Sequence, residues 1–130
     1  MREIKKIYIC GPITPIGNIN KSVKHLSNIR AGILAGISLM EYGFSPYNPF
    51  LDFMYWLIGG EDRFFLSVHR IRKMDLDWIS VSDALLALRG WKKSVGARGE
   101  VEAAKKANVP IFESIDELTA YRDRMREEKP

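Results

Sequence analysis

A single cysteine, Cys10, among 130 residues rules out an intrachain disulfide and suits a reducing compartment. Histidine is also scarce. His25 and His69, far apart and with only one cysteine, form no metal-ligand pattern, so neither a metal nor an organic cofactor is expected. No apolar run approaches the ~20 residues of a membrane span. The longest, Ala31 to Met40, is broken by two glycines and a serine. The start, Met1-Arg2-Glu3, leads straight into apolar residues without a signal-peptide pattern, and a soluble cytoplasmic protein is expected. Basic tracts are missing too. The 20 Lys and Arg outnumber 16 Asp and Glu, but Lys5-Lys6, Arg70 to Lys73 and Lys92-Lys93 are short and scattered. That distribution argues against a nucleic-acid surface and suits a small anionic ligand.

With 46% hydrophobic residues, one domain spanning residues 1–130 can bury a core. Ile4 to Cys10 reads as a buried strand stopped by Gly11-Pro12. Val23, Leu26, Ile29, Ile33, Ile37 and Met40 recur at helical spacing over 21–42, and Gly43 stands where a helix-ending glycine belongs. A short strand at 44–47 follows, then an aromatic segment at 50–60 read as a short helix or lid. The pattern continues with a helix over 62–80, a strand at 84–88 and a glycine-containing loop at 90–99. A helix over 97–107, a strand at 109–112 and a last helix complete it. Ser114 with Glu117 three residues on makes a capping box for that last helix. Alternating strands and helices predict an α/β fold, a flavodoxin-like (Rossmann-like) three-layer sandwich with a parallel sheet of four to five strands. Ligands of such sheets bind at the carboxyl ends of the strands, here the loops after Cys10 and after Leu88.

Two carboxylates stand out by position. At ~100° per residue, Phe64, Val68, Ile71, Met74, Trp78 and Ile79 share an arc, and Asp75 falls near its middle. Asp77 falls outside that arc, at i,i+4 spacing from Lys73. On the next helix Glu100 shares a face with Ala103, Ala104 and Ala107 and falls in the first turn, where free amides and the dipole favour an anion. A buried carboxylate is costly unless it is hydrogen-bonded or paired. Either residue alone could be structural: an aspartate capping a loop, or a glutamate stabilising a first turn. Two inward carboxylates in one small domain point to glycosidic chemistry, in which one attacks and one handles protons. The segment Ser94-Val95-Gly96-Ala97-Arg98-Gly99 could turn several N–H groups to one point as a phosphate cradle. It is neither a Walker loop nor G-x-G-x-x-G.

Three segments resemble the nucleoside 2-deoxyribosyltransferase superfamily, and within it the 2′-deoxynucleoside 5′-monophosphate N-glycosidase branch. They are Tyr8-Ile9-Cys10-Gly11-Pro12-Ile13, Asp75-Leu76-Asp77-Trp78 with Ser82-Asp83, and Ser94 to Glu100 with Ala103-Ala104. The resemblance implies that Glu100 attacks C1′ and forms a glycosyl intermediate. It implies that Asp75 protonates the leaving base or orients the reacting groups, and that Tyr8 holds the Glu100 carboxylate. It assigns substrate contacts to Gly11, Ile13, Ser94, Gly96 and Arg98. Relatives acting on free nucleosides tend to carry Asp six residues before the nucleophile; Ser94 here can instead donate to a phosphate. The chain departs from the branch after its first strand, where Pro12, Thr14 and Pro15 replace Gly and Arg residues. The family also implies a homodimer in which the neighbouring subunit completes the site, from around Ser114.

The expectation is therefore hydrolysis of the N-glycosidic bond of a (deoxy)nucleoside 5′-monophosphate, releasing free base and sugar 5-phosphate. A base-exchanging transferase and a non-catalytic nucleotide-binding module remain the alternatives. Cys10, Asp83 and Trp91 read as core or structural residues, and Gly32-x-x-x-Gly36 as a close-packing helix face.

Overall fold

The computed structural model describes residues 3–13, 21–59 and 67–128. Four parallel strands form its sheet: β1 (Lys6–Cys10), β2 (Ser45–Tyr47), β3 (Ala84–Ala87) and β4 (Ile111–Phe112), in the order β2-β1-β3-β4. The helices are α1 (Lys21–Glu41), α2 (Phe53–Gly59), α3 (Val68–Ser80), α4 (Val95–Lys106) and α5 (Ile115–Glu127). Short 3₁₀ turns occupy Pro49–Asp52 and Trp91–Lys93. This is the flavodoxin-like α/β sandwich. Its strand order reverses between β1 and β3, which is where such sheets bind ligands. Among the described residues, no helix is long and apolar enough to cross a membrane.

Alternation along the two central strands builds two cores. Ile7, Ile9, Ala84 and Leu86 face one way, with Leu39 of α1, Phe50 and Leu118 of α5. Tyr8, Cys10, Leu85 and Ala87 face the other, with Ile79 of α3 and Ala97, Val101 and Ala104 of α4. Each large apolar side chain fully withdrawn from water contributes about 1.5–3 kcal/mol. Asp83 joins the start of β3 to that of β1, its carboxylate accepting from the N–H groups of Lys5 and Lys6 at 3.0 and 2.8 Å.

Helix α1 turns a different face inward from the one its apolar spacing suggests. Ile29, Gly32, Gly36 and Leu39 are buried, whereas Val23, Leu26, Ile37 and Met40 are exposed. The glycines explain the rotation. A Cβ at Gly32 would stand 2.2 Å from the Phe50 ring, and one at Gly36 would stand 3.1 Å from Asn48 Nδ2. The bare helix face lets the turn after β2 nest against α1, and Asn48 Nδ2 donates to the Gly32 carbonyl at 3.0 Å. α1 then ends as its sequence suggests: Gly43 takes φ +90° and the Phe44 N–H reaches back to the Leu39 carbonyl at 2.9 Å.

Helix α4 begins at Val95, two residues earlier than its composition suggests. Ser94 caps it by accepting from the Ala97 N–H at 3.2 Å. Gly96 and Gly99 are therefore helical residues rather than members of an open loop. Each costs about 1 kcal/mol relative to alanine, which the cap and the burial of Ala97, Val101 and Ala104 offset. Glu100 moves accordingly from the first turn to the second. In α3, Asp75 is buried as expected and Ile71 and Ile79 flank it, but Trp78 is half exposed. Phe64 and the stretch 61–66 lie outside the described residues, as do Thr14 and Pro15.

Candidate functional site

The register of the sheet assembles the site. Tyr8 pairs with Tyr47 across β1 and β2, so their rings lie on one face and stack at 5.5 Å. Tyr47 in turn stacks on Trp78 of α3 at 5.4 Å. The Tyr8 hydroxyl, fully buried, donates to Glu100 Oε2 from α4. The Tyr47 hydroxyl donates to Asp75 Oδ1 from α3 at 3.2 Å. The two stacked tyrosines thus each hold one of the two carboxylates singled out by helical spacing.

A third carboxylate completes the cluster. Asp52, at the end of the 3₁₀ turn after β2, is buried and close enough to Asp75 for the two carboxyl groups to influence each other. Asn48 shapes this turn by accepting from the Phe50 N–H at 3.1 Å. Sequence reasoning passed over Asp52. Its signal was a lone acid inside the apolar run Phe50-Leu51-Asp52-Phe53-Met54-Tyr55-Trp56. It also passed over Tyr47 and the contact of the Cys10 thiol with Glu100. Cys10 otherwise behaves as a core residue, with its thiol 3.4 Å from the Ala97 carbonyl.

Burial dominates the electrostatics. Loss of water raises Glu100 from 4.5 to about 7. Hydrogen bonds from Tyr8 and Cys10 and the charge of Arg72 oppose the rise, while the charge of Asp52 adds to it. Asp75 is raised by burial, then by its hydrogen bond to Asp52 and the charges of Asp52 and Glu100. Burial raises Asp52 as well. Both tyrosines are pushed up, chiefly by burial and then by the adjoining carboxylates, so they remain neutral donors. The arrangement offers a carboxylate able to ionise near neutrality beside a carboxylic acid that keeps its proton. That is the division of labour between nucleophile and acid.

The remaining sequence candidates divide. Ser94 and Gly96 sit at the N-terminal end of α4, and Arg98 is exposed one turn on. The first-turn N–H groups of a helix have no acceptor within it. Ser94 takes that of Ala97, and those of Val95 and Gly96 have no acceptor within the helix. A Cβ at Gly96 would meet nothing within 4 Å, so a ligand can approach the backbone there. Six residues of helix separate Ser94 from Glu100, roughly 9 Å along the axis, and the glutamate side chain leans back toward that end. Gly11 is a packing glycine: a Cβ there would lie 3.0 Å from Leu88 Cβ and 3.2 Å from the Phe50 ring. Ile13 packs against the core on the opposite face of the sheet, away from the carboxylates. Ser114 caps α5, accepting from the Glu117 N–H at 3.1 Å. Trp91 donates its indole N–H to Glu113 at 2.9 Å.

A shallow groove of about 450 Å³ reaches the cluster between α1 and the turn after β2, lined by Ile33, Met40, Tyr47, Asp52 and Tyr55 among others. A larger depression of about 640 Å³ lies over α3, lined by Tyr55, His69, Lys73 and Asp77, and contains none of the three clustered carboxylates. Among the described residues no set of three or more His, Cys, Asp or Glu side chains could hold a metal ion.

Residues 5–113 match the family described as a domain of unknown function, DUF4406. The chain belongs to that family. The match runs from the start of β1 to the end of β4 and so includes Tyr8, Tyr47, Asp52, Asp75, Ser94 and Glu100. The description of DUF4406 names no activity, and no curated protein matches the chain.

Proposed function

We propose that this protein hydrolyses the N-glycosidic bond of a (deoxy)nucleoside 5′-monophosphate, through the chemistry of the nucleoside 2-deoxyribosyltransferase superfamily that its motifs resemble. The observation that carries the reading is the Glu100 carboxylate, fixed by the buried Tyr8 hydroxyl in the same buried cluster as Asp75. Glu100 attacks C1′ as the C1′–N bond breaks, and Asp75 delivers a proton to the departing base. Water then displaces Glu100 from C1′, and the sugar 5-phosphate leaves. Tyr8 keeps the nucleophile aimed. The free amides of α4, with the Ser94 hydroxyl, hold the phosphate. Lys92, Lys93 and Arg98, all exposed near that end, supply positive charge in place of the arginine that the first loop lacks.

Ser94 favours a phosphorylated substrate over a free nucleoside and water over a second base as acceptor. The exposed apolar side chains of α1 and α2, including Leu26, Ile37, Met40 and Leu57, support a homodimer, whose second subunit would close the site.

The test is a chromatographic screen for free base. Ribo- and deoxyribonucleoside 5′-monophosphates are incubated with the protein, beside the free nucleosides and a Glu100→Ala control. Base released from a monophosphate, and lost in the control, is the expected result. Release only when an acceptor base is added identifies a transferase. Bound nucleotide without turnover identifies a binding module.

A further inference from the structure

Asp52 has no part in the mechanism above, yet it is a buried acid of the site. It is 7% exposed and Asp75 is 8% exposed; Tyr47, which donates to Asp75 at 3.2 Å, lines the same groove as Asp52, so the two carboxyl groups lie within reach of a shared proton. The turn that carries Asp52 is fixed to α1 by two contacts at Gly32: Asn48 donates to its carbonyl, and Phe50 fills the gap over it. Among the described residues the ion pairs involve Lys73–Asp77, Lys105–Glu102, Arg122–Asp123 and Arg126–Glu3, so none of them neutralises this pair. Two carboxylates in contact and out of water do not both ionise; one keeps a proton that both oxygens hold.

We propose that Asp52 is a positioning residue that keeps a proton on Asp75 by accepting its hydrogen bond, so that the pair is the proton store for the leaving base. This rests on the glycosidase reading. In the first half of the reaction the electrons of the C1′–N bond go to the base. The proton leaves Asp75 for a base nitrogen, and the Glu100 oxygen bonds to C1′. Asp52 and Asp75 are then both anionic and in contact, which makes the pair a strong base. In the second half a water oxygen bonds to C1′, the Glu100–C1′ bond breaks, and the water's proton returns to the pair. Besides Asp52, the groups that bear on Asp75 directly or through a neighbour come from several other elements. Tyr47 on β2 donates to it, and Glu100 on α4 adds negative charge. Its own charge is felt by Tyr8 on β1, and Tyr55 on α2 acts on Tyr47. On α3 itself, Arg72 acts on Glu100.

The test separates the pair from the reaction. Carbon-13 NMR of aspartate carboxyl groups in the unmutated protein should show Asp52 and Asp75 titrating in linked steps, each perturbed by the other's. Independent titrations would overturn the proposal whether or not any variant folds, and whether or not the protein is a glycosidase. In Asp52→Asn the Asp75 midpoint should fall by about one pH unit or more. The base-release profile should move bodily to lower pH, because the Asp52 charge also raises Glu100. A profile that loses height at every pH without moving would mean that Asp52 only supports the fold, and would overturn the assignment.

Discussion

Replacing Glu100 by glutamine should destroy the activity and strengthen the fold. Glutamine keeps the shape of the side chain and can still accept from the Tyr8 hydroxyl, but it carries no charge into the buried cluster. In the native protein burial lifts Glu100 from 4.5 to about 7. The folded state therefore holds this proton more tightly than the unfolded chain does. The stabilising effect of a raised acid is complete below pH 4.5 and is lost as pH rises through 7. At 1.36 kcal/mol per unit, an ionised Glu100 weakens the fold at pH 8 by about 3 kcal/mol at most. Part of that is retained by water reaching the half-buried carboxylate, so Glu100→Gln should gain about 1–3 kcal/mol at pH 8 and almost nothing at pH 4.5.

For a chain of this length each kcal/mol moves the unfolding midpoint by about 3–5 °C. Thermal unfolding of both proteins at pH 4.5, 6 and 8 should therefore show a gap that opens with pH. Base release should fall by about three orders of magnitude or more, because the carboxylate aimed at C1′ is gone. A glutamine variant no more stable than the native protein at pH 8 would refute the electrostatic account. One that kept its turnover would refute the nucleophile. The two failures are independent, because stability needs no substrate.

Three further outcomes follow from the helices that frame the site. Ser94→Asp preserves the cap of α4, since aspartate caps as well as serine, but sets an anion beside the phosphate cradle. Its kcat/KM should fall by about tenfold or more for monophosphates and much less for free nucleosides, as read in the same chromatographic assay. Equal losses would remove the phosphate from that end of α4. Gly32→Ala should cost about 1–3 kcal/mol, because the new Cβ meets the Phe50 ring, and it should also lower turnover by shifting the turn that holds Asp52. Gly99→Ala, where a Cβ meets nothing within 4 Å, should stabilise by about 0.5–1 kcal/mol. Urea unfolding of the two variants checks the contrast, which vanishes if the close approach of α1 to the turn is not real.

What could be read from the chain was whatever depends on near neighbours. The alternation of strands and helices, the ending of α1 at Gly43 and the cap at Ser114 are local, and so is the inward facing of Asp75 and Glu100 on their own helices. The errors have a common cause. The apolar spacing of α1 does not mark its inward face; the Gly32-x-x-x-Gly36 pattern, which reads as a close-packing face, does, because Phe50, eighteen residues beyond Gly32, fills the space the glycines leave. The start of α4 was placed by its glycines, yet the hydroxyl of Ser94 organised the first turn. Asp52 could not be placed by periodicity, because its turn has none.

That pattern explains why the cluster draws on separate parts of the chain. A buried acid is unfavourable for any single helix or turn to carry. It becomes tolerable when elements distant in sequence supply its partners. Tyr8 and Tyr47 come from neighbouring strands in register, Asp75 and Glu100 from the two helices covering that face, and Asp52 from a turn held by α1. The acids meet only where the assembled sheet brings these elements together. Their destabilising charge therefore falls on the completed fold, where the sheet and its two cores can bear it, and Asp52 is held by the contact that the Gly32→Ala experiment disturbs.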